Sequence, residues 1–154
     1  MMSQTAMLYD GELLLRVVIA GLLTGILGWE RQSAGKPAGF RTLLLVGMAA
    51  CLFVVAGEAA AVAYPAGSSA LRVEPFQLIQ AVAVGIGFLG SGVVFLTKDG
   101  THVIGLTTAA SIWATAAIGL TVGFGRYFLA AGTTVLMLVT LRLLQRFDNS
   151  HPND

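Results

Sequence analysis

Five long apolar runs, separated by short polar intervals, constrain this chain more than any single motif: Leu13 to Trp29, Leu43 to Val62, Phe76 to Thr97, Val103 to Phe124 and Tyr127 to Leu144. A hydrocarbon core of about 30 Å is crossed by a helix of roughly 17 to 25 apolar residues, so each run approaches or meets the length of a span. The chain is 56% hydrophobic and 11% charged, against about 25% charged residues in an ordinary soluble domain. A soluble surface could not be built from so little charge. The expected fold is therefore an all-α, polytopic membrane bundle of about five transmembrane helices. The break between the last two runs rests on Gly123-Phe-Gly-Arg126 alone, which leaves four deep spans and one interfacial helix as an alternative.

Small residues are dense in the third and fourth runs, at Gly85-Ile-Gly-Phe-Leu-Gly-Ser-Gly92 and Gly105-Leu-Thr-Thr-Ala-Ala-Ser-Ile-Trp113. In lipid the solvent is as apolar as a leucine, so helices associate through close van der Waals contact and interhelical hydrogen bonds, which small residues permit. Gly21 with Gly25, Gly87 with Ser91 and Gly119 with Gly123 have four-residue spacing. Together with Gly85, Gly90, Gly92 and Gly105 they are expected to pack helix on helix. Gly85 to Gly90 also spells the dinucleotide fingerprint, but it lies mid-span and not between a strand and a helix, and a phosphate there would lack a basic partner. A helix break that exposes carbonyl oxygens to an ion is the remaining alternative for this stretch.

Orientation follows from the basic residues, which are enriched in cytoplasmic loops. Five crossings place Arg31, Lys36, Arg41, Lys98, Arg142 and Arg146 on one side and Arg16, Arg72 and Arg126 on the other. The first side is expected to be cytoplasmic, with the amino terminus outside and the carboxyl terminus inside. Residues 1–12 then form an extracytoplasmic segment, 13–146 the transmembrane domain and 147–154 a disordered cytoplasmic tail. Asp10 and Glu12 stand where a cleaved signal peptide would carry basic residues. Arg16 and Glu58, near the ends of their runs, are each expected to reach the interface. The interval from Pro65 to Ser69 and on to Pro75 reads as an external loop before a helix start.

This topology gathers Glu30, Arg31, Arg41, Thr42, Thr107 and Thr108 at the inner ends of four helices. Ionisable groups at membrane depth point to function, and Glu30 with Arg41 is the expected pair. A structural salt bridge pinning the first two helices is the competing reading. For Thr107 and Thr108 the simpler expectation is that one caps the fourth helix and the other bonds a backbone carbonyl. His102 and His151 have no companion ligands and Cys51 lies in an apolar run, so no metal site, cofactor or disulfide is expected. No nucleophile, base and orienter fall together, which argues against an enzyme. The net charge of +1, with no run of Lys or Arg, argues against a nucleic-acid partner.

Gly28-Trp-Glu-Arg-Gln32, Lys36-Pro-Ala-Gly-Phe-Arg-Thr42, the two glycine-rich stretches and Ala116-Ala-Ile-Gly-Leu120 resemble, in order and spacing, the successive signatures of the MgtC/SapB family of bacterial inner-membrane proteins. The resemblance runs from about Leu13 to Leu144. It implies a small polytopic protein linked to growth in low magnesium and, in some pathogens, to survival inside host cells. It implies no established chemistry, and it allows either a regulator that binds other membrane proteins, such as ATP synthase or ion pumps, or a magnesium transport component. The matching positions are Glu30, Arg31, Arg41, Gly87, Gly90, Thr107 and Thr108. Thr107 replaces the Asn of virulence-type members, Glu74-Pro-Phe-Gln77 departs from their Asp-Pro-x-Arg, and the carboxy-terminal α/β domain of longer members is expected to be missing. The expected function is a non-enzymatic membrane protein of magnesium homeostasis that binds other membrane proteins, with a cation transporter or channel component as the alternative. Bundles this small bury their small-residue faces by self-association, so a homo-oligomer surrounded by membrane lipid is expected.

Overall fold

A computed structural model describes residues 4–63, 74–96 and 103–148. Five helices are present: α1 (Gln4–Ser33), α2 (Phe40–Ala63), α3 (Pro75–Ser91), α4 (Leu106–Gly123) and α5 (Tyr127–Asp148). The all-α membrane class is as expected. Three helices are long and apolar enough to cross a membrane: α1 over Met7–Ser33, α2, and α4. Helices α3 and α5 are apolar but shorter, over Pro75–Ser91 and Tyr127–Leu143. The loop from Pro65 to Ser69, Arg72, the turn from Lys98 to His102, and His151 lie outside the described residues.

The third and fourth apolar runs do not stay helical to their shared turn. Helix α3 stops at Ser91, and a two-stranded antiparallel pair, β1 (Phe95–Leu96) with β2 (Val103–Ile104), joins Phe95 to Ile104 and Leu96 to Val103. Val93, Val94, Val103 and Ile104 are β-branched and favour extended backbone over helix. Gly105 then turns the chain into α4 with φ +88°, and a Cβ there would strike the carbonyl oxygen of Val93. Only glycine can hold that left-handed position against a neighbouring backbone.

At the other end of α4 the expected break is present. The amide of Arg126 donates to the carbonyl of Thr121 and that of Gly125 to Val122, with Gly125 at φ +71°. This is the paired termination that glycine provides just past a helix end. Helix α5 begins at once, the amide of Ala130 donating to Arg126.

Helices α1, α2 and α4 form the centre. Phe40 packs on Gly28 and Arg16 reaches Glu58, so α1 and α2 run antiparallel. Gly119 meets Gly47 and Gly123 meets Val54, so α4 runs parallel to α2. The backbones come close enough that a Cβ at Gly47 would overlap the side chain of Thr24, one at Gly119 the carbonyl oxygen of Gly47, and one at Gly28 would lie 2.7 Å from the Cα of Phe40. Leu27, Leu43, Ile112, Ile118 and Val122 fill the space around this crossing, fully buried.

The glycines expected to pack divide into two groups. Gly21 lies against Met48, Gly25 against the Phe40 ring, and Gly119 and Gly123 against α2. A Cβ added at Gly90 would lie 3.7 Å from the Cβ of Ala109, an ordinary contact. By contrast, a Cβ at Gly85 or Gly87 would meet nothing within 4 Å. Ser91 is exposed and turns its hydroxyl onto the carbonyl of Phe88. Gly92 and Gly105 shape the exit and entry of helices and do not bring two helices together. These four, Gly85, Gly87, Gly92 and Gly105, together with Ser91, correct the expectation of helix packing within the chain. The reason is rotational: α3 rests on the bundle through Val82 and Gly90, the two residues it buries, and Gly85 and Gly87 fall to either side of that contact, along open grooves against α2 and α4.

Candidate functional site

At the end of the bundle expected to be cytoplasmic, the last turn of α1 places two ionisable residues inside the protein. Arg31 is 1% exposed and Glu30 is 7% exposed. Arg31 Nη2 donates to Thr108 Oγ1 at 3.2 Å, across from α1 to the first turn of α4. A helix amino terminus carries partial positive charge, so the guanidinium meets an end of its own sign and is held there through a neutral hydroxyl. Removing a charge from water costs several kcal/mol unless it is well paired. Among the described residues, Arg31 Nε and Glu30 Oε2 have no hydrogen-bond partner.

The expected pair of Glu30 and Arg41 does not form, since both ion pairs among the described residues belong to Arg16. Leu43 takes the inward position at the start of α2, and Arg41, two residues earlier and so roughly 200° round the helix, is exposed with Thr42. Thr107 is exposed too, its carbonyl accepting from the Ser111 hydroxyl at 2.7 Å. Neither threonine caps α4, whose N-cap is Gly105 with no side-chain bond. Of the six inner-side candidates, the structure brings Arg31 and Thr108 into contact, buries Glu30 beside them in sequence, and leaves Arg41, Thr42 and Thr107 on the surface.

A second polar centre, not foreseen as a unit, lies at the other end of the bundle. Arg16 Nη1 donates to Glu58 at 2.7 Å and to the carbonyl of Gly123 at 3.1 Å, and Nη2 donates to Glu12 at 2.8 Å. The Tyr9 hydroxyl reaches the other oxygen of Glu58 at 3.3 Å. Arg16 thus ties α1 to α2 and to the last turn of α4, where an unpaired carbonyl and the negative end of the helix favour a cation. Arg16 and Glu58 therefore do not reach the interface separately. The four-residue spacing of Glu12 and Arg16 was a legible signal, whereas Glu58 becomes a partner only through the antiparallel register of α1 and α2. Gly28 and Gly47 also escaped the small-residue reading, because neither has a second glycine four residues away.

Two open apolar grooves flank α3. One, of about 380 Å³, runs between α2 and α3 past Leu45, Phe53, Leu78 and Gly85. The other, of about 330 Å³, runs between α3 and α4 past Gly87, Gly90 and Trp113. Among the described residues there is no group of three or more His, Cys, Asp or Glu able to hold a metal ion.

The family model described as MgtC family matches residues 17–150. An uncharacterized protein of Haemophilus influenzae is 39% identical over 128 residues, covering 83% of this chain and 53% of its own. YhiD of Escherichia coli K12, provisionally named a magnesium transporter, is 35% identical over 135 residues, covering 88% of this chain and 61% of its own. The MgtC protein of Brucella abortus is 39% identical over 126 residues, covering 82% of this chain and 48% of its own. The chain therefore spans about half the length of these curated relatives. No solved structure matches it.

Proposed function

Because this chain belongs to the MgtC family and is a membrane protein, we propose that it acts without chemistry of its own, as a regulator in magnesium homeostasis whose α3 face docks on another integral membrane protein. The observation that carries the proposal is the exposure of Gly85 and Gly87, where a Cβ would meet nothing within 4 Å among the described residues. A glycine inside a helix costs about 1 kcal/mol relative to alanine, and in lipid it repays that only where another backbone approaches. Phe76, Val84 and Phe88 are exposed on the same short helix and supply apolar contact around the two glycines. The magnesium link rests on the provisional name of the Escherichia coli relative. The family resemblance suggests ATP synthase or an ion pump as the partner, and a second copy of the chain is the competing occupant. The family resemblance supports a bacterial plasma-membrane location, and the distribution of Lys and Arg supports an orientation with the amino terminus outside and the carboxyl terminus cytoplasmic.

The test is crosslinking and co-purification of the wild-type protein and the Gly87→Leu variant. Loss of a specific complex by a variant that still inserts and stays folded supports docking through α3. Retention of every partner overturns it.

A second reading, a cation transporter or channel component, is favoured by the buried carboxylate of Glu30 and its unpartnered oxygen. Against it, the adjacent buried cation Arg31 repels the ion that would pass. Flux of magnesium, potassium or protons in liposomes that is lost in Glu30→Gln would establish this reading. Absence of flux from folded, inserted protein would leave docking as the account.

A further inference from the structure

Four buried side-chain atoms, Arg16 Nε, Glu30 Oε2, Arg31 Nε and Thr115 Oγ1, have no hydrogen-bond partner among the described residues, and all four belong to α1 or α4. Their positions are related. Helices α1 and α4 run antiparallel, with Arg31 on Thr108 at one end and Arg16 on the carbonyl of Gly123 at the other. Counting seven residues inward along each helix from the Arg31 and Thr108 contact arrives at Thr24 and Thr115, both 0% exposed. By this register the unpartnered atoms of Arg31, Thr115 and Arg16 fall at three successive heights along α1 and α4, with Glu30 next to Arg31 in sequence.

The middle height is the most telling. A hydroxyl in a buried helix ordinarily bonds the carbonyl one turn back. Thr24, Ser111, Thr121 and Thr134 all do so, at 2.7 to 2.8 Å. Thr115 does not, although the carbonyl of Ser111 stands at the same offset. Thr24 gives its proton to Ala20, which leaves its oxygen free to accept. A buried hydroxyl with no bond is costly in any protein, and more so where no bulk water can reach it. Buried polar atoms without protein partners are the positions at which proteins hold internal water.

We propose that the α1–α4 interface is a wet seam that binds internal water molecules at these three heights, with the central site bridging Thr115 and Thr24. The outer and inner sites complete the hydrogen bonding of Arg16, and of Arg31 with the neighbouring buried carboxylate of Glu30. A seam of this kind threads exchangeable hydrogen bonds among the buried apolar side chains at the centre of the bundle. The proposal is independent of docking through α3, which uses a different face.

The experiment places a single thiol in the seam, in a Cys51→Ala background reconstituted in lipid nanodiscs. Thr115→Cys puts it at the central site, and Ala116→Cys puts it one residue round the same helix, where the side chain is also buried, 3% exposed. Transfer to heavy water is followed by the infrared S–H stretch. The thiol at position 115 is expected to exchange at least ~10-fold faster than that at 116, because exchange requires contact with water. Equal rates overturn the proposal. Thr115→Val supplies a second readout that keeps the shape of the side chain. Loss of a water-bridged hydroxyl lowers the melting temperature, whereas removal of an isolated one leaves it unchanged or raises it. An unchanged or raised melting temperature overturns the central site.

Discussion

Gly119 and Gly123 of α4 and Gly85 and Gly87 of α3 all lie in strongly apolar runs, yet they meet opposite surroundings. The first two bring α4 against the backbone and Val54 of α2, closely enough that any side chain would collide. The second two face open space. In the centre of the bundle, glycine removes volume so that three helices can share one crossing at Thr24, Gly47 and Gly119. On α3 it leaves the backbone open at two separate apolar grooves, Gly85 toward α2 and Gly87 toward α4. The same residue therefore serves internal cohesion in one region and, in our reading, recognition in the other.

The sharpest way to break this contrast is to add volume in the centre. Gly47→Leu is expected to abolish folding, since overpacking costs roughly 1 to 3 kcal/mol even where side chains can yield, and here the obstacle includes the Cβ of Thr24, which cannot swing aside, as well as its outer atoms. Recovery of a monodisperse, cooperatively melting protein would show that the crossing is looser than described. Thr108→Val should cost about 2 kcal/mol by removing the acceptor of a fully buried guanidinium. A melting curve in detergent reads this, and an unchanged midpoint would mean that Arg31 finds another acceptor.

Glu58→Gln has a smaller expected effect, about 1 kcal/mol, because the Glu58 side chain is 39% exposed and Glu12 still neutralises Arg16. Its cost should fall further in high salt, as the Arg31 contact should not. Least damaging of all, Gly87→Leu is expected not to destabilise the isolated protein and to gain up to about 1 kcal/mol, because the position is open and a mid-helix glycine is removed. A large destabilisation would place Gly87 inside the chain's own packing and remove the contrast with α4.

Much of the helical organisation was legible because it is local. The turn at Gly123-Phe-Gly-Arg126 needed only a residue able to adopt positive φ just past a helix end, and the structure shows it at Gly125. The early stop of α3 at Ser91 was less legible, since Val93 to Leu96 are as apolar as the helix before them. Hydropathy cannot separate an apolar strand from an apolar helix. At the Arg31 site, the gathering of Glu30, Arg31 and Thr108 at one end of the bundle followed from topology, but the choice of Arg31 over Arg41 as the buried cation did not. That choice depends on which face of each helix turns inward, and in nearly uniform apolar sequences no polar stripe marks the face.

What the sequence determined by itself is the class of protein: helices built for lipid, the sites of several breaks, and membership of a family whose signatures run along most of the chain. These depend on composition and short-range pattern, which each segment carries alone. Only the tertiary structure decided that Arg16 binds Glu58 and the end of α4, that Thr24, Gly47 and Gly119 share one crossing, and that Gly85 and Gly87 look outward. Those outcomes depend on the rotation and register of one helix against another, which are settled by the summed packing of residues far apart in the chain.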